Sequence, residues 1–451
     1  QMVHSAGTHQ STFTTSTFSE LITNRRMPNG TYGGVRGWGR EASAYSILNI
    51  LTMKTQRLDQ SLNTEREPVS FRSQMAPLLF LAGIFLLNFL SRIVLAPLLP
   101  TVEKDLNIGH GEAGALFFII SLGYCPMLLG SGFVSSRLNH RRTIILSSLA
   151  VGGAFLFVSV SHSLWGIRFG LLILGMAAGL YLPSGILTII GLVRSKDIGK
   201  AIAIHELAPN SGFLIAPLLA EALLGWFSWR GVLAFIGIAS MIGGMVYVFW
   251  GKGGNSYGEA PNLRMMRSLL VDPSVVILIV LFTLALGMSS GVYSMMPLYL
   301  VSERGMDRTW ANTLVGLSRV ATLGTVLVSG WMTDRLGVGK NLRAVFLTAG
   351  LLTGLLGVAP GSWVIPIVFI QGMVATCFFP VGFAALSRVG SPNGRNLVLA
   401  LTLPVASLLG GAIPVGIGLM GERGFFSLAF TLLGGLVLGG LLLIRYLKLN
   451  D

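Results

Sequence analysis

Gly132–Arg142 reads GFVSSRLNHRR, and 198 residues later Gly330–Lys340 reads GWMTDRLGVGK. Glycine answers glycine and Arg137 answers Arg335, in short polar stretches that interrupt long apolar ones. A second pair keeps nearly the same spacing: GMAAGLYLP from Gly175 and GMVATCFFP from Gly372 lie 197 apart, with Pro183 opposite Pro380. Two apolar helices often look alike by chance, but two segments sharing one offset point to a tandem duplication. Duplicated membrane carriers hold their solute site between the halves.

Composition agrees. Of 451 residues, 52% are apolar and 11% charged, a balance that places the chain in the membrane class. From Ala76 onward, apolar runs recur at about the 20 residues a spanning helix needs. They predict helices at 76–98, 113–133, 143–161, 164–193, 200–225, 229–250, 274–300, 310–331, 343–360, 362–388, 396–420 and 424–446. The expected fold is an all-α membrane protein with twelve transmembrane helices in two pseudo-symmetric six-helix bundles. Residues 76–250 form the first bundle, 251–273 a polar, basic cytoplasmic linker, and 274–451 the second. Residues 1–75 are polar and read as a disordered cytoplasmic tail. With Gln1 first and Met53 and Met75 just before the apolar region, residues 1–52 also read as a mis-assigned start.

The net charge of +14 is strung between the apolar runs, as loop-borne orientation signals are, and does not form a nucleic-acid-binding face. Sixteen Lys and Arg fall in the loops and C-terminus on one side, against Lys104, Arg230, Arg304, Arg308 and Arg423 on the other. Both termini are therefore expected inside a bacterial-type inner membrane. Cys125 and Cys377 sit in apolar runs, so no disulfide, metal or cofactor is expected. A GxxxxGK[ST] phosphate loop and a recognisable hydrolytic set are both missing from the sequence, which argues against a pump ATPase and against an enzyme.

Ionisable groups inside a bilayer are costly and usually face a cavity or a partner. Arg92, Arg168, His205, Glu206 and Arg319 fall within predicted spans, and Glu221 lies nearer an end. Arg319 is about ten residues, or roughly 15 Å, into its helix, close to the midplane. A guanidinium offers paired donors suited to carboxylate or phosphate, so Arg92 from one half and Arg319 from the other could clamp an anion. For Arg92 and Arg168, snorkelling toward the nearer interface is the alternative. Of the adjacent His205 and Glu206 only one can squarely face a cavity. Either is a candidate proton-coupling site, and Glu206 could instead neutralise a membrane arginine.

GWMTDRLGVGK resembles the loop signature of the major facilitator superfamily. The resemblance implies that Asp334, Arg335 and Gly337, after Gly330, latch the halves in the outward-facing state. The first copy keeps Gly132 and Arg137 but has Ser136 for the Asp and Asn139 for the Gly, which implies a weaker latch. NFLSRIVLAPLLPTVEKDLNI from Asn88 and IRFGLLILGMAAGLYLP from Ile167 look like helices 1 and 4 of the anion/cation symporter branch. That likeness makes Arg92 and Arg168 anion contacts, and Asn88, Tyr181 and Gln371 are grouped with Arg319 as further substrate contacts. Ser91 and Gly175 stand where that branch often carries acids, against its proton-coupling scheme. Gly212, Ala216, Pro217, Ala220 and Glu221 give a degenerate match to an exporter signature, and small residues there also serve close packing.

The first functional reading is proton-coupled uptake of a small organic anion by a monomeric, alternating-access carrier, with the substrate, a proton or other ion, and lipid as partners. A proton-coupled exporter of drugs or metabolites remains open. So does a non-transporting, carrier-shaped sensor, toward which Ser136 and Asn139 lean.

Overall fold

The computed structural model describes residues 71–260, 266–267, 269–389 and 395–448. Residues 1–70, with most of the expected tail and Met53, lie outside the described residues, as do Arg264 and the side chain of Arg395. Among the described residues, ten segments are long and apolar enough to cross a membrane. One of them, His110–Val160, is two helices merged across a sharp turn at Asn139. One further span is broken into two short pieces, which completes twelve.

In chain order, α1 is Met75–Ile93 continued by Leu95–Leu106, α2 is 110–138, and α3 is 140–160. Next come α4 (Leu164–Gly179 and Tyr181–Leu192), α5 (Ile198–Leu224) and α6 (Trp229–Trp250). The second half begins with α7, Pro273–Leu286 and Val292–Ser302 joined by a π-helical turn at Gly287–Gly291. The broken span is α8, Arg308–Leu317 and Thr322–Leu336, followed by α9, Val338–Val358. Completing the half are α10 (Val364–Thr376 and Phe378–Leu386), α11 (Arg395–Gly411 and Ile413–Gly421) and α12 (Phe426–Tyr446). No strand occurs among the described residues.

The expected spans recur with two differences. Residues 71–75, assigned to the tail, instead form a short 3-10 turn and the start of α1. The polar run after Leu98 predicts a helix end, yet α1 continues through Pro100 to Leu106. A helix can outlast the apolar stretch that identifies it, because beyond the hydrocarbon its backbone bonds are kept within the helix while its side chains meet water.

Call the end bearing the 251–260 segment the linker end, and the opposite one the far end. Buried apolar side chains form three cores. One spans both halves at the far end and joins Leu98, Leu99, Leu116 and Ala220 to Met295, Tyr299, Ala311 and Ile417. The other two lie toward the linker end and are separate: Leu78, Ile84, Tyr181, Ile189 and Tyr247 in the first half, Phe282, Phe346, Phe378 and Leu401 in the second. Leu129 of α2 is the one first-half residue packed on the second-half core among the described residues. The halves thus share one core at the far end and keep separate cores toward the linker end.

Two contacts close the far end. Between α5 and α8, Glu221 accepts from Arg308 Nη2 (3.3 Å), Thr309 Oγ1 (3.1 Å) and Asn312 Nδ2, while Arg308 Nη1 reaches Thr101 Oγ1 (3.3 Å) and Asn312 Nδ2 reaches Pro97 O (3.0 Å). Between α2 and α11 the backbones themselves meet. A Cβ on Gly114 would lie 2.3 Å from Pro414 O, and one on Gly418 would lie 2.1 Å from His110 O.

Candidate functional site

Within the fused core, where the two halves meet, two guanidiniums are joined by a chain of aromatic rings. Arg92 ends the first piece of α1, with its Cζ 4.9 Å from the Phe89 ring centre and 4.4 Å from that of Tyr124 on α2. Phe89 meets Phe213 of α5 edge-on at 5.1 Å, and Phe213 meets Tyr293 of α7 at 4.8 Å. Arg319 closes the chain, with its Cζ 5.5 Å from the Phe213 ring and 5.1 Å from that of Tyr293. Tyr293 Oη also donates to Phe213 O (3.2 Å), tying α7 to α5 across the interface.

Arg319 is 4% exposed. The Nε of each arginine is buried without a hydrogen-bond partner, and neither side chain forms an ion pair among the described residues. Ring faces attract cations but supply no negative charge, so the pair leaves net positive charge where the two halves meet. A ligand carboxylate, sulfonate or phosphate would satisfy the waiting donors.

Local breaks in the helices shape this site. Arg92 precedes the bend at Val94, Tyr293 follows the π-helical turn of α7, and Arg319 sits in the interruption of α8 at residues 318–321. Such breaks persist at membrane depth where the backbone lines a cavity or is repaired by side chains. Here Thr322 Oγ1 donates to Arg319 O (2.6 Å) and Ser318 Oγ to Val315 O (2.7 Å). Gly372 of α10 makes room, since a Cβ there would stand 3.3 Å from the Arg319 guanidinium. The arginines break the internal symmetry: at the offset of 198, Ser290 answers Arg92 and Ser121 answers Arg319.

The other predicted residues lie elsewhere. Arg168 pairs with Glu112 (2.8 Å) near the far end and stacks over Trp165. Glu112 is twelve residues, about 18 Å of helix, above Tyr124, so Arg168 stands well away from Arg92. Asn88 Nδ2 donates to Ala178 O (3.2 Å) and Ser147 Oγ (3.4 Å), and Gln371 Nε2 to Met288 O (2.6 Å) and Thr353 Oγ1 (3.2 Å). Those amides brace their own bundles. Gly175 has no space for the acid expected of the symporter branch, because a Cβ there would lie 2.0 Å from Ile120 O on α2.

Tyr181 belongs with the His205 pair. Its hydroxyl donates to Leu81 O (2.7 Å) and therefore accepts from His205 Nε2 (3.2 Å). The imidazole is buried and stacks on Phe85 at 4.2 Å. With hydrogen on Nε2, a neutral imidazole turns a bare Nδ1 toward Glu206 Oε1, 3.5 Å away. Two lone pairs at that range repel unless one proton sits on either partner. Glu206 and Phe213 are seven residues apart on α5, hence on one face, so the exposed carboxylate lies roughly 10 Å along the helix from the ring.

At the linker end, Asp334 is exposed and forms no ion pair among the described residues, and Arg335 stacks over Trp331. Arg137 is exposed too, and Gly132 and Gly330 lie within α2 and α8. Gly337 turns at φ 80°, ψ 157°, and Asn139, its counterpart, adopts the same geometry at φ 63°, ψ 168°. The first loop therefore keeps the backbone turn without the glycine. Sequence reasoning missed Phe89, Tyr124, Phe213 and Tyr293, because aromatic residues in apolar spans carry no mark until distant helices bring them together.

The profile of the Major Facilitator Superfamily matches residues 81–413. Among curated proteins, the membrane sensor protein UhpC of Escherichia coli is 23% identical over 311 residues, covering 63% of this chain and 69% of that one. The probable sulfoacetate transporter SauU of Cupriavidus necator is 20% identical over 395 residues, covering 78% and 89%. The probable nitrate transporter NarT of Staphylococcus aureus is 20% identical over 281 residues, covering 60% and 69%. The fold is shared with a bacterial homolog of the lysosomal transporter Spinster in its inward-facing, unoccupied conformation (TM-score 0.67, 15% identity, 84% of this chain and 95% of that one). It is shared as well with a POT family transporter in complex with 5-aminolevulinic acid (TM-score 0.70, 14% identity, 82% and 95%).

Proposed function

The chain belongs to the Major Facilitator Superfamily, and from that premise we propose that it carries a small organic anion across a bacterial inner membrane as a monomer working by alternating access. The observation behind the reading is the pair Arg92 and Arg319, one from each half, with buried, unpartnered Nε atoms where the halves meet. Sulfoacetate and nitrate, in the names of two relatives, are anions. In this reading the linker end is cytoplasmic, as the loop charges require, and the structure corresponds to an inward-facing state. Both termini then lie inside.

Uptake is driven by protons through the His205–Glu206 pair, which needs one proton to relieve the contact between Nδ1 and the carboxylate. Gly132, Arg137, Gly330, Asp334, Arg335 and Gly337 form the loops that meet when the cytoplasmic side closes.

The test is a thermal-shift series on purified protein with sulfonates, phosphates and nitrate against neutral sugars and cations. An anion at about a hundred times its dissociation constant should add about 2.7 kcal/mol of stability, and Arg319→Ala should abolish that gain. Stabilisation by neutral or cationic compounds that survives the substitution would sink the anion assignment. In vesicles, Glu206→Gln should abolish uptake driven by a pH gradient while sparing counterflow, and gradient-driven uptake by that variant would remove the pair from coupling. The name of UhpC favours a second reading, a sensor without turnover. Anion binding with no counterflow would select it.

A further inference from the structure

The 251–260 segment does not hang free beneath the bundle. It runs from the end of α6 across the α2–α3 loop and bonds to it through the backbone. Arg141 N donates to Gly254 O (2.7 Å), His140 N to Ser256 O (3.1 Å), and Gly258 N to Ser135 O (3.0 Å). The first amides of α3 would otherwise be orphans, and this strand of linker caps two of them while Asn139 Oδ1 accepts from the third, Arg142 N (3.0 Å). Glycine is required at the closest approaches. Gly254 has φ +75° and no room for a Cβ, which would lie 2.9 Å from Arg141 N, and a Cβ on Gly258 would lie 2.0 Å from Ser135 Oγ. Thr188 and Leu192 of α4 flank the same strap.

The strap delivers one residue of consequence. Glu259 follows Gly258 and is exposed, one residue beyond the bond to Ser135. At the repeat offset Ser136 answers Asp334, the acid of the second-half loop. The first-half loop, Gly132–Arg142, carries Arg137, Arg141 and Arg142 and no acid of its own. Three like charges at the end of a helix pair need a counter-charge close by if the loop is to approach the equally basic second half.

We propose that Glu259, held by the backbone bonds between the strap and the α2–α3 loop, supplies the acidic charge that the duplication placed at Asp334 and lost at Ser136. Glu259 is thus a positioning residue for closure of the linker end. The proposal rests on alternating access and is independent of what the carrier transports.

Spin labels at Lys196 and Lys340, both exposed at the linker end on opposite halves, report that closure as a distance distribution. The native protein should show a minor short-distance population, and Glu259→Gln should reduce it about fivefold. Glu259→Asp should keep it, and Ser136→Asp added to Glu259→Gln should restore it. A Glu259→Gln distribution equal to native, or a loss that Ser136→Asp leaves unrestored, would overturn the proposal. So would the lack of any short-distance population in the native protein, since the acid would then close nothing. None of these outcomes touches the anion assignment, which the thermal-shift series decides by itself.

Discussion

The two far-end contacts, α5 on α8 and α2 on α11, are the same contact twice, related by the internal repeat, and they are built from opposite materials. At the offset of 198, Thr309 answers Gly111, Asn312 answers Gly114, and Glu221 answers Leu419. One seal is a carboxylate gripped by an arginine, a threonine and an amide; the other is glycine pressed on backbone, with Leu419 Cδ2 2.5 Å from where a Cβ of Gly111 would be. In lipid the hydrophobic effect does not drive helices together, so association must come from close packing or from polar contacts. This chain uses one kind on each side of its pseudo-twofold axis. The glycine seal holds chiefly by shape. The polar seal depends on charge, and so can be weakened by anything that competes for Glu221 or Arg308.

The comparison breaks most severely at Gly114. Gly114→Ala places a methyl against the Pro414 carbonyl, which cannot swing aside as a side chain would, so about 3 kcal/mol of packing should be lost. Labels at His162 and Ser362 should then read a wider far end, and an unchanged distance would show that the glycine contact is not a seal. Glu221→Gln is milder: it should shift the same distribution toward the open far end about tenfold, a change of about 1.4 kcal/mol. Adding Arg308→Gln should recover part of that shift, because it removes the part-buried charge that the first substitution leaves without its carboxylate. The smallest effect is that of salt. Raising ionic strength from about 0.1 M to about 1 M shortens the screening length from about 10 Å to about 3 Å and should move the native distribution about twofold. The Glu221→Gln variant should not respond, and an equal response would place the salt effect outside this seal.

Much of the architecture was legible before the structure. Twelve apolar runs and one repeat offset imply two six-helix halves, and the depth of Arg319 in its span marks it as a group in need of a partner or a ligand. Chemistry of residue type and position suffices for those inferences. What stayed hidden depends on contacts between distant segments. Phe89, Phe213 and Tyr293 look like core residues until α1, α5 and α7 meet, and Asn88 and Gln371 look like ligand contacts until their amides find carbonyls in their own bundles. Arg168 has the right residue type at the wrong height. Asn139 reads as a defect in a glycine motif, yet it holds the glycine's backbone geometry and caps the next helix with its side chain. The strap was hidden for a related reason, since nothing in a polar, glycine-containing segment states which loop it will lie against.

The fused core at the far end and the two separate cores beyond it form a lever with its fulcrum at one end. From the interruption at Arg319 to the tip of α8 at Leu336 is seventeen residues, an arm of about 25 Å. A tilt of about 10° at the fulcrum would sweep that tip by roughly 4 Å while moving the aromatic rings beside it very little. In the proposed carrier the anion would be gripped where travel is smallest and the loops would meet where it is largest, so a sub-ångström adjustment at the site would become, at the loop tips, the difference between touching and not touching.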